Sequence, residues 1–326
     1  MIPLSVLDLV SIRQGGTVAG ALAATADLAR AAEKAGYKRF WTAEHHGAGG
    51  LAGAAVAVVL AHIGHATSTI RIGSGGIMLP NHNPLVIAEQ FGTLDALFPG
   101  RVDLGLGRAP GADRRIGHAL RKDLMSAADN FPQDVVELQA RFAGDERVPI
   151  PAMPGAGAEI EMWILGSSLF GASLAAHLGL PFAFASHFAP QLLDQALRVY
   201  RENFQPSAVL DRPHAMVAMT VIAADSDEEA AYLASSMDQS FADFRTGRSV
   251  GLRPPLAGYR ENLPADALAM MQQMRSVSAI GGPDKVRTEM LAFIERTAAD
   301  ELIIGGSIWD PAAHQRSLAI TMAALG

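Results

Sequence analysis

The chain has 326 residues, of which 49% are hydrophobic and 18% charged, with a formal net charge of −7 and no cysteine. A composition this apolar supports a large buried core and excludes a mainly disordered chain. Without cysteine there are no disulfides, thiolate metal sites or cysteine nucleophiles, and the negative charge argues against a nucleic-acid binder. The first residues do not show the basic start and apolar run of a signal peptide, so we expect a cytoplasmic protein. No run of about 18 apolar residues occurs, so we expect no membrane span.

Short apolar, β-branched runs alternate with helical stretches along nearly the whole chain. The predicted strands are residues 3–10, 39–44, 69–75, 101–107, 161–166, 181–185, 214–224 and 301–305. The predicted helices are residues 18–35, 52–67, 84–97, 129–142, 171–178, 190–204, 227–244, 283–299 and 311–323. Eight strand–helix units in a chain of this length favour an α/β fold of the (β/α)8 TIM-barrel type over a doubly wound sheet.

Two stretches interrupt this alternation. Residues 144–159 are rich in proline and glycine and form a loop before the fifth strand. Residues 245–282 are a longer, lid-like insertion late in the chain. Long segments after a barrel strand often close over a site, although a docking surface or a partly ordered loop explains this one equally well. We therefore expect residues 1–326 to form a single barrel domain with an insertion at about 245–282.

A carboxylate and two imidazoles, Glu44, His45 and His46, follow the second predicted strand. Barrel enzymes keep catalytic groups at these strand ends. Strand geometry turns Glu44 and His46 to one side and His45 to the other. A histidine suits proton transfer near neutral pH, and the carboxylate could fix its tautomer or hold a ligand hydroxyl. The structural alternative is a helix-capping histidine with Glu44 paired to an arginine. No metal site is expected, because no His-x-His follows the first strand.

The third and fourth predicted strands also end unusually. Gly75-Gly76 is either an ordinary turn or a place where the backbone approaches a planar ligand. Residues 105–111 imitate a dinucleotide-binding glycine pattern, but the third glycine is one place late and a proline interrupts, so we reject that interpretation. Arg108 suits a phosphate, because a guanidinium presents a planar fork of donors; a surface salt bridge is the alternative.

Small residues follow the fifth strand, where Gly166, Ser167 and Ser168 lead into a helix. Free backbone N–H groups and hydroxyls at a helix start form an anion site, and simple helix capping by a serine is compatible with it. Ser186-His187, after the sixth strand, either lines the same pocket or is part of the core.

Taken together, these motifs resemble the bacterial luciferase-like flavin monooxygenase family. The resemblance covers essentially the entire chain in order and is carried by Ala43-Glu44-His45-His46, Gly73-Ser74-Gly75-Gly76-Ile77-Met78-Leu79-Pro80, Leu104-Gly105-Leu106-Gly107-Arg108 and Leu165-Gly166-Ser167-Ser168. It implies a barrel that binds FMN at its C-terminal rim. In that family a non-prolyl cis peptide, matched by Gly75-Gly76, packs against the flavin ring.

The resemblance also assigns the other site residues. Arg108 matches the arginine that binds the flavin phosphate, and Ser168, with Ser167 beside it in the loop after Gly166, matches the phosphate loop. His45 matches the active-site general base or acid, and Glu44 lies beside the flavin. Gly107 stands where the luciferases have a cysteine, and Gly171 where the light emitter has threonine, so a long-chain aldehyde substrate does not follow.

The expected function is an FMN-dependent monooxygenase that uses reduced flavin and O2 on a small organic substrate. Because no nicotinamide fingerprint is present, a separate flavin reductase is expected to supply the reduced flavin. The family resemblance implies a homodimer. The alternatives are a deazaflavin-dependent oxidoreductase and a non-catalytic flavin-binding protein. The sequence does not identify the organic substrate.

Overall fold

The computed structural model describes residues 2–109, 114–121, 123–248 and 250–326. Within these ranges the sheet has nine strands, all paired in parallel. They are β1 (Leu4–Asp8), β2 (Arg39–Thr42), β3 (Arg71–Met78), β4 (Val102–Gly107), β5 (Glu161–Gly166), β6 (Phe182–Phe184), β7 (Ala215–Ala223), β8 (Ser278–Gly281) and β9 (Glu301–Gly305). Strands β1 to β7 and β9 close a ring, since β6 pairs with β7, β7 with β9, and β9 with β1. The predicted TIM barrel is confirmed.

Helices surround this barrel. In the described ranges they are α1 (Val18–Ala35), α2 (Val56–Ala66), α3 (Pro84–Leu97), α4 (Arg114–Leu120), α5 (Leu124–Asp129), α6 (Phe131–Phe142), α7 (Leu169–Leu178), α8 (Leu193–Glu202), α9 (Asp227–Arg245), α10 (Ala265–Met274), α11 (Pro283–Thr297) and α12 (Pro311–Leu325). None of these helices is long and apolar enough to cross a membrane. Pro110 and Gly111, from the rejected dinucleotide pattern, lie outside the described residues.

The insertion at 245–282 has more structure than its sequence indicates. It contains α10 and the strand β8, which pairs with Thr220–Ala223 of β7, beyond the part of β7 that β6 uses. Its first part is tied to the rim, where the backbone N–H of Leu252 donates to Ile12 O at 2.7 Å. Arg275 binds Asp238 of α9 through two nitrogens. These contacts dock the insertion on its neighbours, and a lid function stays a prediction.

The barrel interior has three layers, because residues two apart on a strand point to the same side. At the N-terminal end, buried charges form the floor: Arg39, Asp103 and Glu301. Above them lies an apolar layer that includes Trp41, Trp163, Met216 and Ile303. The same strands continue to the C-terminal rim with Gly75, Gly107 and Gly305. Small residues therefore leave the barrel mouth open above a filled middle.

Candidate active site

The peptide bond between Gly75 and Gly76 is cis, as the resemblance implies. Strand β3 continues through this pair to Met78, so the pair is not the turn that ends the strand. A Cβ atom on Gly76 would lie 2.7 Å from the Gly105 carbonyl oxygen, and one on Gly75 would lie 2.9 Å from Leu7 Cδ1. Because the Gly105 carbonyl belongs to the backbone and cannot easily move aside, packing restricts position 76 to glycine. At position 75 the nearest atom is the end of the flexible Leu7 side chain, which can move.

Glu44 is bound directly to this cis segment. Its side chain is buried, and its backbone N–H donates to Gly76 O at 3.2 Å. Its carboxylate accepts a hydrogen bond from the Met78 N–H at 2.9 Å and another from Asn81 Nδ2 at 3.2 Å. Glu44 therefore joins the end of β2 to the end of β3 through both backbone and side chain.

Two imidazoles complete the surroundings of the Glu44 carboxylate. His46 Nε2 lies 2.6 Å from Oε1, and His82 Nε2 lies 2.9 Å from each oxygen. His46 and Glu44 thus share one side, as strand alternation predicts. Within the described residues, no arginine or lysine pairs with Glu44, which removes the structural alternative of an arginine partner.

His45 is held apart from this cluster. Its Nδ1 atom is buried and has no hydrogen-bond partner among the described residues. Burial lowers the pKa of His45, and the nearby Ala43 backbone and the charge of Glu44 oppose this shift only in part. Burial raises the pKa of Glu44, but hydrogen bonds from His82, Met78 and Asn81 outweigh it, so the net shift is downward. The site therefore combines an anionic carboxylate with a neutral imidazole.

Glu44, His46 and His82 also supply a carboxylate and two imidazole nitrogens whose atoms lie within 4.8 Å of one another. Such donors occur in metal sites. Here both Nε2 atoms bond directly to the carboxylate, which also accepts from Met78 and Asn81. We therefore describe the three side chains as a hydrogen-bonded cluster and assign them no metal.

Arg108 lies beside the start of α7, the helix that follows Ser167 and Ser168. The Arg108 guanidinium, at the end of β4, lies 4.1 Å from the centre of the Phe170 ring in the first turn of α7. Ser168 is the N-cap residue of α7, yet its side chain makes no capping hydrogen bond. Within the described part of the chain no carboxylate pairs with Arg108, so the salt-bridge alternative is not observed. A cation therefore lies beside the start of a helix whose N-cap hydroxyl makes no capping hydrogen bond, and anion sites use groups of these kinds.

Ser186 and His187 have mainly structural contacts. The Ser186 hydroxyl is buried and donates to the Ala218 carbonyl oxygen at 2.5 Å. The His187 ring packs edge-on against Phe188 with ring centres 5.0 Å apart, and burial lowers the pKa of His187 to about 4. The Ser186 hydrogen bond supports the core alternative for that residue. His187 is only partly buried, and Phe188 beside it is 69% exposed, so the His187 contact does not support a core role.

Sequence reasoning missed three residues of this site. Asn81 and His82 contact Glu44, and Phe170 contacts Arg108. The signal for the first two was their position directly after β3, where polar residues of a barrel gather at the rim. Phe170 carried no signal, because its partner is 62 positions earlier in the chain.

Two glycines of the rim leave open space beside them. Among the described residues, a Cβ atom on Gly107 would meet nothing closer than Ile77 O at 3.7 Å, and one on Gly305 nothing closer than Leu7 O at 3.5 Å. The open mouth, the unpaired Nδ1 of His45 and the anion-binding groups beside Arg108 fit a phosphate-bearing ring cofactor such as FMN.

Comparison with known proteins identifies the family. The family model described as luciferase-like monooxygenase matches residues 2–301, and the chain belongs to this family. A luciferase-like monooxygenase of Escherichia coli strain K12 is 48% identical over 322 residues, covering 98% of this chain and 96% of the relative. The N-acetyl-S-alkylcysteine monooxygenase of Bacillus subtilis is 34% identical, covering 81% and 80%. The suspected resemblance is therefore confirmed.

Solved structures agree with the fold. Apo-MsnO8 superposes with a TM-score of 0.89 at 32% identity, covering 99% of this chain and 98% of that one. More distant structures share the fold alone, at 17% and 16% identity. They include the oxygenating constituent of 3,6-diketocamphane monooxygenase in complex with FMN and an F420-dependent secondary alcohol dehydrogenase. This fold therefore occurs in both FMN-bound and F420-dependent proteins.

Proposed function

We propose that the protein is an FMN-dependent monooxygenase that uses reduced flavin and O2 on a small organic substrate. The observation that carries the proposal is that Arg108, at the end of β4, lies against the start of α7, one strand away from Gly75 and Gly76 of β3. A phosphate bound by Arg108 and a ring lying on Gly75–Gly76 would place a flavin across the barrel mouth. Membership of the luciferase-like monooxygenase family supports the reaction class.

Different residues would bind the ring and the phosphate of the cofactor. Gly75 and Gly76 would support the ring, while Arg108 and the loop of Gly166, Ser167 and Ser168 would hold the phosphate. When bound, reduced FMN supplies the electrons that activate O2.

The remaining groups would control protons and water. His45 would accept or return a proton at Nδ1, the ring atom without a partner in the described residues. Glu44 would keep His46 and His82 oriented, because its carboxylate binds both rings. The apolar layer of Trp41 and Trp163 beneath the mouth would exclude water from below.

We also propose that a separate reductase supplies the reduced flavin. The glycine pattern around Gly105 and Gly107 lies in the barrel wall as strand β4, which does not favour a nicotinamide site of the dinucleotide-binding type. A homodimer remains the expectation from the resemblance, and light scattering on the purified protein tests it.

Anaerobic titration of the purified apoprotein with oxidised FMN, reduced FMN and reduced deazaflavin tests the cofactor. We expect the tightest binding for reduced FMN, and a preference for deazaflavin would overturn the proposal in favour of the deazaflavin-dependent alternative. Oxygen consumption is then measured with reduced FMN and a substrate panel. Alkyl thioethers come first, because one relative is named for N-acetyl-S-alkylcysteine. Binding without any turnover would favour the non-catalytic alternative.

A further inference from the structure

Phe170 has no place in the hydrophobic core. It is the second residue of α7 and keeps 38% of its surface exposed. Its neighbours Leu169 and Leu174 pack against the core, whereas Phe170 is not among the side chains that do so. A large aromatic side chain on a helix start gains little stability from this position. Its ring contacts the Arg108 guanidinium, which lies 4.1 Å from the ring centre.

We propose that Phe170 is a positioning residue that holds the Arg108 guanidinium at the start of α7 for the phosphate of the cofactor. This inference rests on the proposed function, since it assumes that FMN binds at this rim. A guanidinium stacked on an aromatic face keeps its N–H donors free at its edge. The contact therefore restricts where Arg108 lies without using the hydrogen bonds that a phosphate needs.

The geometry explains why a ring serves here better than a carboxylate. An acidic partner would fix Arg108 equally well, but it would occupy the N–H donors and repel a phosphate. Ser168 leaves the helix N–H groups uncapped on the same side of the rim. Phe170 thus pre-organises a cation beside free backbone donors without adding negative charge.

The expected effect follows from the strength of the contact. A partly exposed cation–π contact is worth about a two- to five-fold change in a binding constant. Phe170→Ala should therefore weaken FMN binding by about that factor. Phe170→Tyr keeps the ring face and should bind FMN normally, whereas Phe170→Leu keeps apolar bulk without the face and should resemble Phe170→Ala.

Riboflavin lacks the phosphate, so comparing its binding with that of FMN distinguishes effects on the phosphate from effects on the ring system. If Phe170 acts through Arg108 on the phosphate, Phe170→Ala weakens FMN binding and leaves riboflavin binding unchanged. Equal losses for FMN and riboflavin would mean that Phe170 contacts the ring system itself, and would overturn the inference. Thermal unfolding of each variant without ligand confirms that the barrel is folded, and the affinity of Phe170→Tyr provides the check if Phe170→Ala is unstable.

A double-mutant cycle gives the decisive test. In an Arg108→Met background, Phe170→Ala should cause no further loss of FMN affinity, because the group that it positions is gone. Additive losses from the two substitutions would overturn the inference while leaving the proposed function intact. No FMN binding to the unaltered protein, in either redox state, would instead refute the proposed function.

Discussion

His46 Nε2 lies 2.6 Å from Glu44 Oε1, the shortest of the hydrogen bonds that this buried carboxylate accepts within the described residues. An ionised carboxylate only accepts hydrogen bonds, so the ring nitrogen that faces it must carry a proton. The same reasoning holds for His82, whose Nε2 lies 2.9 Å from both oxygens. One side chain thus sets the proton position on two imidazoles.

Glu44→Gln should release this control, because an amide can donate as well as accept. Long-range ¹H–¹⁵N correlation of the histidine rings at about pH 8.5, where an ordinary histidine is neutral, measures the tautomer. We expect only the Nε2–H tautomer for His46 and His82 in the unaltered protein and a mixture in the variant. His62, on α2, is the internal control. An unchanged tautomer in Glu44→Gln would show that Glu44 does not orient these rings.

We expect protonation of His45 to cause the loss of turnover at low pH. Burial lowers its pKa below the ordinary 6.5, so the neutral, proton-accepting form is present at neutral pH and is lost only as the pH falls further. We expect turnover with reduced FMN to decline with a midpoint below 6.5.

His45→Ala should lower turnover by about 10²–10⁴-fold, the usual worth of a general acid or base. His62→Gln is the matched control, because His62 lies on a helix outside the barrel. Full turnover by His45→Ala with supplied reduced FMN would remove His45 from the mechanism.

Two glycines of β4 should differ in how strongly they respond to the same substitution. A Cβ atom on Gly105 would collide with Ser74 O and lie 2.7 Å from Leu165 Cδ1, so Gly105→Ala should lower the free energy of unfolding by about 1–3 kcal/mol or more. A Cβ atom on Gly107 would meet no atom of the described residues within 3.4 Å, and for Gly107→Ala we expect a change within about 0.5 kcal/mol.

Urea denaturation measures both stabilities, and FMN titration separates structure from function. Gly107 faces the mouth, so its alanine variant should fold normally and bind reduced FMN more weakly. Unchanged FMN affinity would place the flavin away from Gly107.

The barrel floor should make the fold sensitive to acid. Glu301 is buried, and burial raises its pKa. The His214 ring, whose Nε2 lies 3.5 Å from Oε2, and the charges of Arg39 and Lys38 outweigh burial and lower the pKa to about 2. A carboxylate whose pKa falls on folding stabilises the folded state above its unfolded value of 4.5. That stabilisation is lost as the pH falls from 4.5 towards 2.

Urea midpoints at about pH 5 and about pH 3 should therefore differ more for the unaltered protein than for Glu301→Gln. The variant should also be less stable at the higher pH, because Arg39 loses one of its buried carboxylate partners. Equal acid sensitivity in the two proteins would exclude Glu301 as a source of this dependence.

Several elements were predictable because their signals are local. Helices α1 and α3 have the predicted bounds, 18–35 and 84–97. Thr17 accepts a hydrogen bond from the Gly20 N–H at the start of α1, and Gly36 ends it in the left-handed conformation. Asn83 caps the start of α3 with its side chain, and Pro84 lies in the first turn of that helix. Caps and first-turn prolines act within one turn of the chain, so sequence alone reveals them.

Strand β8 and helix α10 were not predictable in the same way. The four residues of β8 have no period that distinguishes a strand from a loop, and β8 exists through its pairing with β7. Helix α10 lies in a segment held by the Arg275–Asp238 contact, between groups 37 residues apart. Elements defined by distant partners carry little signal of their own.

The candidate site also combines features that local sequence predicts with contacts that depend on distant partners. Residue types and short spacings were enough to predict the alternation that makes a barrel. They also predicted the polar strand end at Glu44 and His45, and the glycines and Arg108 of the neighbouring strands. The folded barrel was needed to show that Glu44 binds His82 rather than an arginine, and that Arg108 lies on Phe170. Both contacts arise when parallel strands bring their C-terminal ends to one rim, and closure of the barrel sets which side chains meet there.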